Sequence, residues 1–159
     1  MKKEDKTNVM RVLDSKKIPY KSHNYEGTGA IGGAEVTQAL GQNPDCVFKT
    51  LVTVAKTKKN YVFLVPVCKE LDLKKAAHAV GEKKIEMLKS KELLSLTGYV
   101  HGGCSPIGMK KSFETIIDES AGQFDTIMFS GGKIGHQVEV ALEDVKKVIR
   151  FKLADITVD

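Results

Sequence analysis

The stretch CVFKTLVTVAKTKKNYVFLVPV, residues 46–67, decides the fold of this chain. Two apolar runs rich in β-branched residues flank the lysine-rich segment KTKK, and this arrangement predicts a β-hairpin. Alternation along the first strand places Lys49 on one face together with Val47 and Leu51. Because both faces of this run are largely apolar, we expect the strand to be covered on both sides.

Lys49 is unusual because it stands inside this apolar strand. A lysine surrounded by apolar residues must be paired with an acceptor or must open into a cleft. The alternative is a lysine near an exposed strand end that extends its ammonium group into water. Lys49 is therefore a candidate functional residue with a structural alternative.

Working outward from the hairpin, the sequence predicts helices and strands without regular βαβ alternation. The first predicted helix lies in KTNVMRVLDSKKIPY (6–20), between the N-cap candidate Thr7 and Pro19, which stops it. The other predicted helices are AEVTQALG (34–41), LDLKKAAHAVG (71–81), SKELLSL (90–96) and LEDVKKVIR (142–150). The predicted strands are YKSHNYE (20–26), GYVHGG (98–103), ETIID (114–118), DTIMFSGG (125–132) and HQVEV (136–140), whereas KIEML (84–88) fits either state. With no linker or repeat, residues 1–159 are predicted to form one α+β domain with a mixed sheet.

Composition and charge narrow the class of protein. Lys and Arg number 25 against 20 Asp and Glu, and the net charge of +5 suits an anionic partner such as RNA, although a lysine-rich soluble surface explains it equally well. Three cysteines without a CxxC pair argue against a disulfide framework and favour a reducing cytoplasm. With no signal peptide or apolar run of membrane-spanning length, we expect a soluble, unprocessed protein.

Two glycine-rich stretches have the same layout. GYVHGGCSPIG (98–108) and TIMFSGGKIG (126–135) each run from a β-rich segment into a pair of glycines. Paired glycines let the backbone approach a ligand closely and direct N–H groups at a carbonyl or phosphate. The alternative is two tight turns that merely join strands. Neither stretch matches a GxxxxGK[ST] or GxGxxG nucleotide motif, and no cofactor is expected.

Cys104 is the obvious reactive residue of the first stretch. His101 lies three positions before it and His136 lies in the second stretch, but neither histidine has an acidic neighbour in the sequence that would orient it. A single cysteine in a turn is more often a small packed residue than a nucleophile. No spacing of histidines and cysteines matches a metal site, so no metal is expected.

Taken together, LGQNPDCVFKTLV, ELDLKKAAHAVGEKKIEM, TGYVHGGCSPIGMKK, TIIDES and SGGKIG resemble the bacterial YbaK/EbsC family of free-standing aminoacyl-tRNA editing proteins. The resemblance covers nearly the whole chain and is closest to the branch that deacylates cysteinyl-tRNA made in error by prolyl-tRNA synthetase. It implies a barrel-like mixed sheet flanked by helices. It also implies a deacylase acting in trans on Cys-tRNA(Pro) and Cys-tRNA(Cys), in the cytoplasm.

The resemblance also implies site residues and partners. Lys49 would be the catalytic residue, and the substrate would contact Tyr25, Ile31, Gly102, Gly103, Ser105, Pro106, Ser130, Gly132 and Gln137. In this branch the substrate's own thiol attacks its ester carbonyl while the protein positions the ester. The implied partners are the acceptor end of mischarged tRNA and, transiently, prolyl-tRNA synthetase, with no role for DNA or a membrane.

Three departures from the family pattern affect amino-acid specificity. Cys104 replaces a small aliphatic residue, Gln137 replaces an acidic residue, and the segment EGTGAIGGAEV is short and offers only Ile31 where relatives carry an aromatic residue. Editing of another amino acid such as alanine, a non-catalytic tRNA- or synthetase-binding module, and a thiol hydrolase using Cys104 and His101 therefore stay open. Lys110 and Lys111, or the KTKK turn, would be able to hold acceptor-stem phosphates, although solvated turns also explain them.

Overall fold

A computed structural model describes residues 6–30 and 32–159. Its helices are α1 (Asn8–Ser15), α2 (Gly33–Leu40), α3 (Leu73–Val80), α4 (Ser90–Thr97) and α5 (Leu142–Val145). Its strands are β1 (Lys21–Asn24), β2 (Phe48–Ala55), β3 (Asn60–Pro66), β4 (Ile85–Met87), β5 (Glu114–Asp118), β6 (Thr126–Ser130), β7 (His136–Ala141) and β8 (Phe151–Ala154). No helix among these residues is long and apolar enough to cross a bilayer.

The strands form two sheets. One has the order β4-β2-β3-β5-β8 and the other the order β1-β7-β6. The predicted hairpin is confirmed, because β2 and β3 pair antiparallel, whereas β3–β5 and β5–β8 pair parallel. A parallel bridge between Val47 and Met128 connects the two sheets. The mixed α+β class is therefore confirmed, with the strands divided between two sheets that do not close into one barrel.

The central strand β3 is covered on both faces. Val62 and Leu64 belong to a large core cluster that also contains α1 and strands of both sheets, whereas Phe63 and Val65 belong to a second cluster against α3. These four side chains are at most 1% exposed. Each fully buried side chain of this size contributes roughly 1.5–3 kcal/mol to stability, so the hairpin anchors both clusters.

Local signals in the sequence set the helix starts. The Thr7 hydroxyl accepts a hydrogen bond from the Met10 N–H at 3.2 Å at the beginning of α1. The Asp72 carboxylate accepts from the N–H groups of Lys74 and Lys75 at the beginning of α3. Such caps satisfy backbone donors that have no partner within the helix and contribute about 1 kcal/mol each.

Two predictions were wrong at the level of single elements. GYVHGG (98–103) is not a strand but a tight turn after α4, in which the Gly103 N–H donates to the Val100 carbonyl at 3.0 Å. The predicted helix at 142–150 ends at Val145, and the following strand β8 was missed. β8 has only four residues, and it exists because β5 offers a parallel edge, which no local pattern indicates. The same reasoning applies to KIEML, which pairs with β2 as a strand.

Candidate functional site

A cavity of about 460 Å³ lies beside the first half of β2. Much of its wall is apolar and comes from both sheets and from α2 and α4: Val36, Val47, Phe48, Val52, Leu93, Cys104 and Phe129. Five of the site residues expected from the sequence also line it: Tyr25, Lys49, Gly102, Ser130 and Gln137. Residues that lie far apart in the chain thus converge on one apolar space with few polar groups, the usual composition of a small-molecule site.

Lys49 is half-buried in this cavity and has no ionic partner among the described residues. β4 pairs with β2 only from Thr53 to Ala55, so the beginning of β2 is left uncovered by that strand where Lys49 stands. No carboxylate lies within ion-pair distance of Lys49 in residues 6–30 and 32–159. An ammonium group in a largely apolar cavity is costly unless something pairs with it. The group is therefore available to an anionic or carbonyl oxygen of a ligand.

The two glycine-rich turns contact each other beside the cavity. A Cβ atom at Gly103 would lie 3.1 Å from the backbone nitrogen of Ile134, and one at Gly102 would lie 3.6 Å from the Ile134 side chain. Gly102 and Ser130 both line the cavity. The structure therefore brings the two stretches together, as expected for parts of one site, although each is also a tight turn.

Several backbone donors of these turns are already used. The Gly103 N–H donates to Val100, the Gly131 N–H donates to the His136 carbonyl at 2.9 Å, and the Gly132 N–H donates to the Ser130 hydroxyl at 3.1 Å. By contrast, the N–H groups of Gly102 and Cys104 have no acceptor in the described part of the chain. Both residues line the cavity, as does His101, whose N–H also has no acceptor among the described residues, so these N–H groups are turn donors available to a ligand carbonyl.

Four of the expected residues support the site without lining it, and one lies outside the described residues. Ser105 is fully buried, and its hydroxyl accepts from the Ile107 N–H at 3.3 Å, which stabilises the first turn. Gly103 and Gly132 pack inside the turns, and Pro106 faces a different cleft. Ile31 lies outside the residues that the structure describes.

Gly132 is held in a conformation that favours glycine, which leads to a prediction on stability. Its φ is +93°, and an added Cβ would lie 2.8 Å from the Val9 side chain and 3.1 Å from the Tyr99 ring. We expect Gly132→Ala to lower the free energy of unfolding by about 1–3 kcal/mol, because backbone strain and overpacking add. Thermal unfolding followed by circular dichroism measures this. Gly27→Ala is the matched control, since no atom lies within 4 Å of its added Cβ; equal melting temperatures would contradict the prediction.

Sequence reasoning missed two side-chain pairs at the cavity wall. His136 Nε2 lies 2.5 Å from Glu26 Oε1, which supplies the acidic partner that the sequence did not reveal. Gln137, only 4% exposed, exchanges two hydrogen bonds with Gln42, at 2.6 and 3.2 Å. Both pairs join residues about a hundred positions apart, so no local signal indicates them. Their effect is to fix the orientation of two polar side chains that line the cavity.

Cys104 has the properties of a packed wall residue. It is 8% exposed, and burial raises the pKa of its thiol to about 12. A thiol with that pKa carries almost no thiolate at neutral pH and is a poor nucleophile. No hydrogen bond joins it to His101 or His136 in the described residues. Within the same residues, no group of three or more His, Cys, Asp or Glu is placed to hold a metal ion.

Comparison with known sequences gives two informative relatives and a family. Residues 31–148 match the aminoacyl-tRNA editing domain. The chain is 45% identical over 157 residues to EbsC of Enterococcus faecalis (strain ATCC 700802 / V583), named for an inferred Cys-tRNA(Pro)/Cys-tRNA(Cys) deacylase activity; the match covers 98% of this chain and 96% of EbsC. A proline–tRNA ligase of Shouchella clausii (strain KSM-K16) is 33% identical over 76 residues, which cover 48% of this chain and 13% of the ligase.

Solved structures share the fold. A crystal structure described as an inferred trans-editing enzyme for prolyl tRNA synthetase has a TM-score of 0.84 at 22% identity, and the match covers 98% of this chain and all 100% of that one. The hypothetical protein APE2540 also has a TM-score of 0.84, at 17% identity, and the match covers 96% of this chain and 100% of that one. At these identities the likeness concerns the fold alone.

Proposed function

Because the chain belongs to the aminoacyl-tRNA editing domain family, we propose that it is a free-standing deacylase that hydrolyses mischarged Cys-tRNA(Pro) and also Cys-tRNA(Cys). The observation that carries the proposal is the half-buried Lys49, without an ion pair in the part of the chain that the structure describes, in an apolar cavity beside the glycine turn at Gly102. The identity of 45% with EbsC over nearly the full chain supports the choice of substrate.

Editing of this kind answers a physical limit of amino-acid selection. Cysteine and proline have side chains of similar size, and an apolar synthetase pocket separates such side chains by only about 10- to 200-fold. A second site with different chemistry is then needed to remove the wrong product. A small apolar cavity such as this one fits the aminoacyl group, while the tRNA stays outside it.

The reaction that fits this cavity uses the nucleophile of the substrate. The substrate thiolate attacks its own ester carbonyl carbon, a carbon–sulfur bond forms, and the bond to the ribose oxygen breaks. The proton lost by the thiol ends on the ribose oxygen, and the released cyclic thioester takes up water to give cysteine. No nucleophile from the protein is required, in keeping with the raised pKa of Cys104.

The protein's part is electrostatic. The Lys49 ammonium is a fixed positive charge that favours the thiolate and the developing oxyanion over their neutral forms. The unused N–H groups of Gly102 and Cys104 at the cavity wall are candidate donors to the same oxyanion. Apolar walls around the ester strengthen these interactions because water does not screen them.

The partners follow from the same reaction. The acceptor end of tRNA carries the ester, and a transient association with prolyl-tRNA synthetase in the cytoplasm would present the mischarged tRNA before it is used. The match to part of a proline–tRNA ligase supports a related editing function, although it covers only 13% of that enzyme.

One observation favours a second candidate function, which is the editing of a thiol-free amino acid such as alanine. His136 lines the cavity and is paired with Glu26, the arrangement of a general base with its orienting carboxylate. A water molecule activated by this pair would replace the missing substrate thiol.

The decisive experiment follows release of cysteine from Cys-tRNA(Pro) by the purified protein. We expect release well above the spontaneous rate, and we expect Cys104→Ser to retain most of it, as the control Cys68→Ser does at an exposed position. No acceleration, combined with salt-sensitive tRNA binding, would instead identify a non-catalytic binding module. Loss of activity in Cys104→Ser alone, with tRNA binding intact, would revive Cys104 as a nucleophile.

A further inference from the structure

A second cleft lies on the other side of the first glycine turn. This basic cleft is lined by residues 106, 108, 109 and 111–115 and by residues 148–152, and its volume of about 740 Å³ exceeds that of the cavity. The second segment includes the beginning of β8, a strand that the sequence did not predict. The sequence therefore pointed to Lys110 and Lys111 as phosphate contacts, but it did not predict the opposite wall formed by residues 148–152.

The floor of the basic cleft is apolar and partly aromatic. Met109, Phe113, Ile149 and Phe151 pack against the large core cluster but are only half-buried, so each leaves surface in the cleft. Half-exposed aromatic rings held by a core are the platforms on which unpaired nucleic-acid bases stack, at about 1–3 kcal/mol per base. The floor alone is compatible with any flat apolar group.

The rim of the basic cleft carries positive charge that residues 6–30 and 32–159 do not neutralise. Lys111 and Arg150 are exposed, and neither makes an ion pair within the described part of the chain. The ammonium group of Lys152 already donates a hydrogen bond to the Ala79 carbonyl and is less available to a ligand. The acid on this rim, Glu114, lies 4.0 Å from Lys59. The charge left over is therefore positive and selects an anionic partner.

The position of the basic cleft relative to the cavity identifies that partner. Gly102 and Cys104 line the cavity, whereas Pro106 and Gly108 line the cleft, so one short loop separates the two spaces. The Cα atoms of residues two apart lie within ~7.6 Å of each other. A nucleic-acid strand advances about 3.4 Å per nucleotide, so a few nucleotides bridge the two spaces.

We propose that the basic cleft binds the acceptor arm of the tRNA whose aminoacyl ester occupies the cavity. Lys111 and Arg150 contact backbone phosphates, and Phe113 and Phe151 stack with an unpaired base of the 3′ end. This inference rests on the proposed function, since it takes the cavity as the ester site. It adds the surface that holds the nucleic acid.

Binding of uncharged tRNA(Pro) transcript, followed by fluorescence anisotropy over a series of salt concentrations, tests the proposal without turnover. Lys111→Glu and Arg150→Glu should each reduce the slope of log K against log [salt] by about 1, and the double variant should bind at least about tenfold more weakly. Lys83→Glu makes the same charge change at an exposed position that lines neither space and should leave the slope unchanged. Lys111→Gln and Arg150→Gln should give the same direction if a charge reversal disturbs folding.

Kinetics separate this inference from the proposed function. On Cys-tRNA(Pro), the double variant should raise KM about tenfold with kcat nearly unchanged, because phosphate contacts remote from the ester position the substrate uniformly. On cysteinyl-adenosine, which has no acceptor arm, the double variant and the wild type should react at equal rates. If the wild type deacylates Cys-tRNA(Pro) and the double variant has the same KM as the wild type, the cleft assignment is overturned and the proposed deacylase function stands.

Other results also decide the matter. Binding slopes of Lys111→Glu and Arg150→Glu equal to that of Lys83→Glu, or no tRNA binding by the wild type, would overturn the proposal. If the variants lost affinity for a polyglutamate peptide but not for tRNA, the basic cleft would be a surface for an acidic protein instead. If tRNA binding shows the predicted salt slopes but the wild type does not deacylate Cys-tRNA(Pro), the cleft assignment is supported and the proposed function is contradicted.

Discussion

Replacing Lys49 with methionine is expected to lower the rate of Cys-tRNA(Pro) deacylation by about two to three orders of magnitude, the usual loss when one preorganised oxyanion-stabilising group is removed. Methionine keeps most of the length and the apolar stem of the lysine and removes only the charge. The measurement is the single-turnover rate at saturating protein, which isolates the chemical step from tRNA binding. Lys49→Arg keeps the charge in a different shape, so we expect it to retain part of the rate.

Stability distinguishes a functional Lys49 from a structural one. The ammonium group has no ion pair in the described residues, so its removal from a half-buried position should leave the melting temperature unchanged or raise it. Lys56→Met, at an exposed position in the turn of the same hairpin, is the matched control and should change neither rate nor stability. A Lys49→Met protein with a lower melting temperature and a nearly normal rate would contradict the assignment.

The hairpin and the helix caps were predictable because their causes are local. The two β-branched, apolar runs around KTKK and the cap residues Thr7 and Asp72 act within a few positions, and the structure contains the hairpin and both caps. The strand β8 was not predictable in this way. Its four residues form a strand because β5 offers them an edge, and the sequence does not state which edges remain open.

In the candidate site, too, local motifs predicted some features, whereas others depend on tertiary contacts. The resemblance implied that Lys49, Gly102 and Ser130 belong to one site, because their motifs keep the order and spacing of the family. In the structure all three residues line the cavity. It did not predict that Ser105 would be buried under its own turn or that Pro106 would face the basic cleft. Which side of a tight turn a residue faces depends on φ values near the glycines, such as +86° at Gly102, and these follow from contacts between the turns.

The pairs at the cavity wall are tertiary in origin. The sequence predicts Gln137 to be a substrate contact. In the structure, however, the amide oxygen of Gln137 accepts a hydrogen bond from Gln42, and its amide nitrogen donates one to Gln42. The group that remains toward the cavity is neutral, where a carboxylate would attract a substrate ammonium. The amino-acid preference of the site therefore depends on what the substrate side chain supplies.

We expect Ala-tRNA(Pro) to be deacylated at least about 100-fold more slowly than Cys-tRNA(Pro). An intramolecular nucleophile has an effective concentration of about 10⁵ M or more when it is well oriented, and alanine lacks it. For the cysteinyl substrate, the rate above the spontaneous background should rise with pH toward the pKa of a free thiol, about 8.5, because the thiolate is the attacking form. The thiol of Cys104 does not contribute in this range, since its pKa is about 12.

Variants at the His136–Glu26 pair test the competing mechanism with the same two substrates. If the substrate thiol is the nucleophile, His136→Ala and Glu26→Gln should change the cysteinyl rate only a few-fold, because no water has to be activated. If a water molecule is the nucleophile, both variants should remove about 10²–10⁴-fold of the rate, the usual contribution of a general base. Equal rates on alanyl and cysteinyl substrates, with both lost in His136→Ala, would contradict self-attack and assign the reaction to water held by this pair, 2.5 Å apart in the structure.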